Sequence, residues 1–521
     1  MIDKKVCLLI LDGLGEKELN IANPLRFIKG TNFNFFKKNF PFGLLAASGI
    51  SVGLYHNMPG SCENGYLTMG TGEVYFENFP RINLSIERGD FFKNPNLINV
   101  FNHCRNFNSR LHLIGLISES YTKSSLNHLY AILEAAKTNN LQNVFLHLFT
   151  DGFEAPPKSA LSLLKNLQQY LIDKKYSYHL ASLCGRYYAL DESGDYALKT
   201  QRAFLLIVTG NGLFVDDPFV FLEQKYQDPT FSDALLEPIL LNKDGYIKDG
   251  DAILFFHFEN KAIFQLANAF LNPDFQFFNR PKRNNLYIAS LTKYLENVDY
   301  PVIFEEQKII SNLSKILAEH KLSQIKFADE SKDMILRYYF NGFIEEEHPG
   351  EVFKIFPDLS HAKTLEELTS KSKEILDSMV LSIKEGNFDF ILTSISALDI
   401  IGHSGNFQWA INFLNFLDEY LGYVYETLQK SPYVLIITSD HGNVEKMIDL
   451  LTGEKHTVHT DNPVPFYCLD LQRKKEKNKI ELSFYSKKIL GSLVDIAPTI
   501  LDIFGIKQPP SFTGRSLLKF F

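Results

Sequence analysis

Val434-Leu435-Ile436-Ile437-Thr438-Ser439-Asp440-His441-Gly442-Asn443 is the stretch that decides the reading of this chain. It opens with a short apolar run. Such a run suits a strand covered on both faces, as in a parallel sheet. Asp440 and His441 follow at the carboxyl end of that strand. Gly442 permits the sharp turn that points adjacent side chains into one place. A turn with an incidental acid and base is the plainer alternative.

The same pattern recurs outward from there. Val6 to Leu11, Leu111 to Ile117, Asn143 to Phe149, Ala252 to Phe258 and Phe390 to Ser394 are almost fully apolar and end at turn residues. Between them lie stretches of helical period, clearest at Leu365 to Glu385 and Trp409 to Leu428. Alternating strand and helix predicts an α/β fold, a mostly parallel sheet with helices on both faces. Sites in such sheets gather at the carboxyl ends of strands. Asp12, Asp399 and Asp440 all stand at or just after such an end.

Two crossings between domains are expected, at Glu77 to Arg81 and at Val298 to Val302. They predict one domain from 1–78 and 302–521, with 79–301 inserted as a second α/β domain.

Bulk composition narrows the function. The chain has 521 residues, 61 acidic against 53 basic, and a net charge of −8. The basic run Arg473 to Lys479 is short and broken by Glu476 and Asn478, so nucleic acid is not an expected partner. No segment reaches the roughly 18 apolar residues of a membrane helix, so no membrane is expected. The apolar start ends at Asp12-Gly13 with no small-residue cleavage site after it. Five scattered cysteines, an odd number, fit reduced thiols in the cytoplasm.

Three further clusters carry chemistry. Asp399-x-x-x-His403 pairs a hard carboxylate with a borderline imidazole, a set that suits a divalent metal. On a helical turn the two would share a face. Gly402 and Gly405 suggest instead a tight loop after the strand. A bland surface pair is the alternative. His456-Thr457-Val458-His459-Thr460-Asp461-Asn462-Pro463-Val464-Pro465 is a proline-stiffened loop whose histidine could complete a site or simply be solvated. Leu11-Asp12-Gly13 is a strand end that is equally a common turn. Together the clusters supply three carboxylates and three imidazoles. That set suits two divalent ions about 3.5–4 Å apart, clamping a transferred phosphoryl group.

At this point the chain resembles the 2,3-bisphosphoglycerate-independent phosphoglycerate mutases of the alkaline phosphatase superfamily. The resemblance runs nearly end to end. It rests on Leu9 to Gly13, Gly65 to Gly72, Asp151 to Ser159, Gly185 to Asp191, Asp399 to Gly405, Asp440 to Asn443, His456 to Pro465 and Asp495 to Asp502. It implies a split metal-binding phosphatase-like domain and an inserted phosphotransferase-like domain. It implies one manganese on Asp399, His403 and His459, and another on Asp12, Asp440 and His441.

Alignment on Gly65 and Gly72 puts Cys62 at the family's serine nucleophile, and at its place on the metal; a one-residue slip would restore Ser61. A thiolate is a softer ligand than a serine oxygen, which moves the metal preference from manganese towards zinc. In the inserted domain Ser118 to Lys123 occupies the segment of a catalytic histidine, with Lys123 at that position. The substrate-binding positions read Glu154, Arg186 and Lys332. Phe153-Glu154 replaces an Arg-Asp pair, Glu192 replaces an arginine, and Phe258 to Ala262 has lost two more. A glutamate in place of an arginine repels carboxylate and phosphate.

The resemblance implies a mutase-like isomerase that interconverts 2- and 3-phosphoglycerate through a phospho-enzyme. The altered pocket fits equally a metal-dependent phosphatase or phosphotransferase on another phosphoester, or a catalytically retired metal-binding paralogue. A small phosphorylated substrate, two divalent metal ions and a cytoplasmic monomer are the expectations.

Overall fold

The structure is a computed structural model that describes residues 4–120 and 122–521. Met1, Ile2, Asp3 and Tyr121, which belong to two of the segments quoted above, lie outside the described residues. The chain divides into two compact units. Unit 1 is Met1–Glu77 with Lys308–Phe521, and unit 2 is Asn78–Gln307.

Unit 1 is built on an eight-stranded sheet. Its order is Glu351–Phe356, Gln324–Asp329, Phe390–Ile395, Lys5–Leu11, Tyr433–Thr438, Val464–Leu469, Phe42–Ala46, Ile489–Ser492. Only Val464–Leu469 runs antiparallel to its neighbours. Lys5–Leu11 lies in the middle, paired in parallel with Phe390–Ile395 and Tyr433–Thr438. Its residues alternate between two cores. Cys7, Leu9 and Leu11 pack with Leu376, Phe413 and Leu417, while Val6, Leu8 and Ile10 pack with Tyr66, Phe340 and Ile496. Burial on both faces is why the run carries no polar alternation.

Unit 2 has its own eight-stranded sheet. Four central strands, Ala252–Phe255, Leu111–Ile117, Val144–Thr150 and His179–Gly185, are neighbours and parallel. Apolar layers again cover both faces, with Leu113 and Leu254 on one and Ile114 and Phe255 on the other.

The second crossing comes later than expected. Val302–Phe304 is a strand that pairs with Tyr287–Thr292 in unit 2, so the chain leaves that unit only after Gln307. Leu365–Glu385 forms a helix capped by Thr364, and the next long helix is Phe407–Leu428. Ala252–Phe255 is shorter than its apolar run. Among the described residues, no helix is long and apolar enough to cross a membrane. All five cysteines are free thiols.

Candidate metal centre

Three adjacent strands of unit 1 deliver their carboxyl ends to one place. Asp12 follows Lys5–Leu11, Asp440 stands two residues beyond Thr438, and Ser394 closes in from Phe390–Ile395. Asp399 and His403 lie not on a loop but on an α-helix, Ala397–Ser404. The glycine that suggested a loop has a packing reason. A Cβ on Gly402 would lie 2.4 Å from the Asn443 side chain, and Asn443 Nδ2 donates to Asp399 Oδ1 at 2.9 Å. Only glycine lets the helix approach that amide, and the i, i+4 spacing then turns Asp399 and His403 to one face.

Asp399, His403 and His459 form one set of converging donors. His403 Nδ1 lies 2.8 Å from the Thr457 carbonyl and His459 Nδ1 lies 2.8 Å from the Gly60 carbonyl. A carbonyl only accepts, so each Nδ1 carries a proton, and in the neutral ring each Nε2 is a bare lone pair. Those two Nε2 atoms face one another at 3.0 Å, and each is 3.4 Å from Asp399 Oδ1. A proton or a metal cation must lie among these atoms, and Asp399 accordingly holds both imidazoles above their ordinary range against burial. The donor set, two imidazoles and a carboxylate, is one that divalent metals take.

Cys62, Asp440 and His441 form the second set. Asp440 Oδ1 is held by the Gly13 and His441 N–H groups at 3.1 and 2.9 Å. Its Oδ2 is buried and accepts no hydrogen bond. His441 Nε2 lies 3.3 Å from that oxygen and 3.2 Å from Cys62 Sγ. An orphaned buried carboxylate oxygen is costly without a partner, so these residues also fit a metal.

Asp12 lies beside this set, sharing Lys332 with Cys62. The Tyr66 hydroxyl donates to its Oδ1 at 2.6 Å, Ser394 donates to its Oδ2 at 3.1 Å, and Lys332 Nζ lies 3.1 Å away. Burial, and then Asp440, push its carboxyl up to about 7. The crowding is plain: Asp12, Asp399 and Asp440 face one buried lysine. Burial alone would lower Lys332, but Asp12, Cys62 and Asp440 raise it well above the usual range, so it is charged.

Cys62, and not Ser61, turns its side chain to this cluster. Helix Cys62–Thr71 starts there, and the Ser61 hydroxyl caps it by accepting from the Asn64 N–H. Sγ receives a hydrogen bond from Lys332 Nζ at 2.8 Å. Burial and Asp440 push the thiol up, against Lys332. Gly65 lets the helix press in, for a Cβ there would lie 2.6 Å from the Asp440 carbonyl oxygen.

Sequence reasoning missed the brace around these loops. Buried Glu445 accepts from Gly15 and Asn443 N–H groups at 3.1 and 2.8 Å, from Asn462 Nδ2 at 2.7 Å, and from Thr460 Oγ1. It ties three loops together. Tyr66 and Ser394 were missed as well, because nothing in their own segments places either beside Asp12.

Unit 2 holds a different cluster at its own strand ends. Lys123 Nζ lies 3.4 Å from Glu259, 3.6 Å from Glu154 and 3.8 Å from Glu192. Arg186 bonds Asp151 at 2.7 Å and Glu154 at 3.3 Å. Ser118 also donates to Asp151, at 2.5 Å. Phe153 is exposed, with Arg186 over its ring at 5.1 Å.

Comparison with known proteins places this geometry in a family. Residues 82–296 match the model of the BPG-independent PGAM N-terminus. The chain is 33% identical over 520 residues to 2,3-bisphosphoglycerate-independent phosphoglycerate mutase 1 of Methanosarcina acetivorans, covering 99% of this chain and 98% of the relative. It is 33% identical over 526 residues to the 2,3-bisphosphoglycerate-independent phosphoglycerate mutase of Listeria welshimeri, covering 100% of both. The phosphoglycerate mutase of Leishmania mexicana, solved at low cobalt concentration, shares the fold with a TM-score of 0.50 at 22% identity, over 98% of this chain and 97% of that one. With full-length identity to such relatives, the chain belongs to the 2,3-bisphosphoglycerate-independent phosphoglycerate mutase family.

Proposed function

We propose that this chain transfers the phosphoryl group of a small phosphorylated substrate through Cys62, beside two divalent cations. The observation that carries this is the convergence of unsatisfied donors. His403 and His459 turn their Nε2 atoms to Asp399, and Asp440 presents an orphaned oxygen beside Cys62 and His441. Asp399, His403 and His459 would hold one cation. Cys62, Asp440 and His441 would hold the other, with Asp12 at its edge. When bound, such cations neutralise phosphate oxygens and the charge that develops during transfer.

The donor types favour manganese for the first site and zinc for the sulfur-containing second. Cobalt, present with the Leishmania mexicana relative, takes the same donors. The five free thiols fit a reducing cytoplasm.

Cys62 sits at the first residue of its helix, where the N-terminal dipole and the Lys332 ammonium work against the burial and the Asp440 charge that hold its thiol up, and a bound cation would add to them. Attack by Sγ on phosphorus forms an S–P bond as the ester oxygen leaves and takes up a proton. Attack by another hydroxyl of the same molecule then breaks the S–P bond and returns the thiolate. The product is the positional isomer, the outcome expected of a mutase. Water in place of that hydroxyl would give a phosphatase. Glu445 holds the loops that carry Asp440, His441 and His459 in register.

A second reading, transfer on an ester other than phosphoglycerate, is favoured by one observation. Lys123 is ringed by Glu154, Glu192 and Glu259, charges that repel a carboxylate.

The test is phosphate capture. The protein is incubated with manganese or zinc and a panel of phosphomonoesters that includes 3-phosphoglycerate, quenched, and analysed for a phosphorylated Cys62 peptide. The peptide is expected with at least one ester, and neither Cys62→Ala nor Asp440→Ala should yield it. A sample that binds two metals yet carries no phosphate with any ester would overturn the reading.

A further inference from the structure

We propose that the face of unit 1 built by residues 471–490 docks on an anionic lipid surface. This is attachment to a bilayer surface, which needs no spanning helix, and it is independent of the chemistry of the metal centre.

Charge is the first argument. The segment carries seven basic residues against Glu476 and Glu481, a net charge of +5 in a chain whose total is −8. The remainder of the chain therefore holds −13, and so uneven a distribution turns this face towards a negative surface. The fold occupies both acids. Glu476 meets Lys38 of the neighbouring helix Thr31–Asn39 at 2.6 Å, and Glu481 accepts from the Asn478 N–H as half of a capping box. Some of the basic residues serve the fold as well: Arg473 lies 3.6 Å from Asp470, and Lys477 Nζ donates to the Lys37 carbonyl at 3.0 Å. Lys475, Lys479, Lys487 and Lys488 are exposed, and none of the four pairs with a carboxylate among the described residues.

Apolar surface is the second and independent argument. Ile480 and Phe484 stand four residues apart on helix Lys479–Tyr485, so they share one face. They are 82% and 50% exposed, and nearby Ile489 is 51% exposed. Lys488 Nζ lies over the Phe484 ring at 4.6 Å. An apolar body under an ammonium suits the boundary between acyl chains and headgroups, where the ring enters and the lysine stays at the charged level. A second copy of the same face would bring like charges together. A nucleic acid would use the lysines but leave Ile480 and Ile489 in water. A negative bilayer satisfies both sets.

Position is the third argument. Leu469, just before the segment, pairs with Leu435 near the start of Tyr433–Thr438, and Lys4, just before Lys5–Leu11, bonds Asp470 at 2.8 Å. Asp12 and Asp440 follow the opposite, carboxyl ends of those two strands. Docking here leaves the metal centre uncovered.

The test is sedimentation of the full-length chain with vesicles of phosphatidylcholine alone and of phosphatidylcholine mixed with phosphatidylglycerol. Binding is expected to the mixed vesicles alone, and it should weaken as salt rises. Lys487→Gln with Lys488→Gln should lower the partition coefficient about 25-fold, about fivefold for each lysine. Ile480→Ser with Phe484→Ser should keep the melting profile, since both side chains are exposed, and lower the coefficient about tenfold or more. No binding to the mixed vesicles would overturn the proposal, as would equal binding to both kinds or a coefficient unchanged in either double variant. Release of the bound protein by free glycerol phosphate would make a soluble phosphate the ligand and overturn it too. Tight binding of single-stranded DNA, with vesicle binding indifferent to Ile480 and Phe484, would reassign the face to nucleic acid.

Discussion

Unit 1 and unit 2 each gather charge at the carboxyl ends of parallel strands. In unit 1, Asp12, Asp399 and Asp440 face Lys332, with His403, His441 and His459 alongside. In unit 2, four carboxylates face Lys123 and Arg186. The difference lies in burial and in lone pairs. Asp12 and Asp440 have no exposure at all, and the donor atoms of Cys62, Asp440 and His441, like those of Asp399, His403 and His459, converge within 4.8 Å. The glutamates of unit 2 are spread around a lysine and partly wet. Dense, dry donors suit a divalent metal, and glutamates dispersed around a lysine do not.

The comparison breaks most severely if the chemistry is not in unit 1. Cys62→Ala is expected to lower kcat by roughly 10⁴-fold or more, as removal of a nucleophile does, with an unchanged melting profile. Turnover within tenfold of the parent would refute the assignment.

Metal response sharpens the contrast. At free manganese or zinc near 100 times its Kd, binding should stabilise the protein by about 2.7 kcal/mol in thermal melts. Asp440→Ala should abolish this gain, and Glu192→Gln should leave it in place. A gain that survives Asp440→Ala but not Glu192→Gln would reverse the roles of the two units.

Acid should act on unit 2 instead. Burial holds His128 down to about 3, from an ordinary 6.5. The unfolded chain takes up that proton first as pH falls. Stability is therefore full above about pH 6.5 and is lost progressively towards pH 3, by about 2 kcal/mol at pH 5. The fall in melting temperature between pH 7 and 5 should be smaller in His128→Gln by that amount. Identical pH profiles for the two proteins would contradict it.

Smallest is the effect at Ser61. Its hydroxyl caps helix Cys62–Thr71, so Ser61→Ala should cost about 1 kcal/mol of stability and leave the phosphorylated Cys62 peptide in place. Loss of phosphate capture at normal stability would shift the nucleophile to Ser61.

Much of this was legible along the chain. Leu111–Ile117 forms a strand over the span its apolar run predicts, and Leu365–Glu385 a helix over its periodic span. Asp12 and Asp440 stand where strand ends predict. The second crossing was not legible, because the short apolar run at Val302 can pair with either sheet, and hydrogen bonding to Tyr287–Thr292 decides. Nor was the helix at Asp399, because Gly402 looks like a loop signal until Asn443 is packed against it.

By itself, then, the order of residues pointed to the α/β layers and an inserted unit and offered Asp12, Asp399, His403, Asp440 and His441 as metal-binding candidates, while Cys62 and the choice of His459 came with the family resemblance. The former follow from local periodicity and from strand-end chemistry, which are properties of neighbours in sequence. Tertiary structure alone decided that Cys62 and not Ser61 meets Lys332, that Tyr66 and Ser394 hold Asp12, and that three glutamates ring Lys123. Each of these joins residues far apart in the chain. Only the packing of whole elements sets such distances, and with them the charge that a site presents.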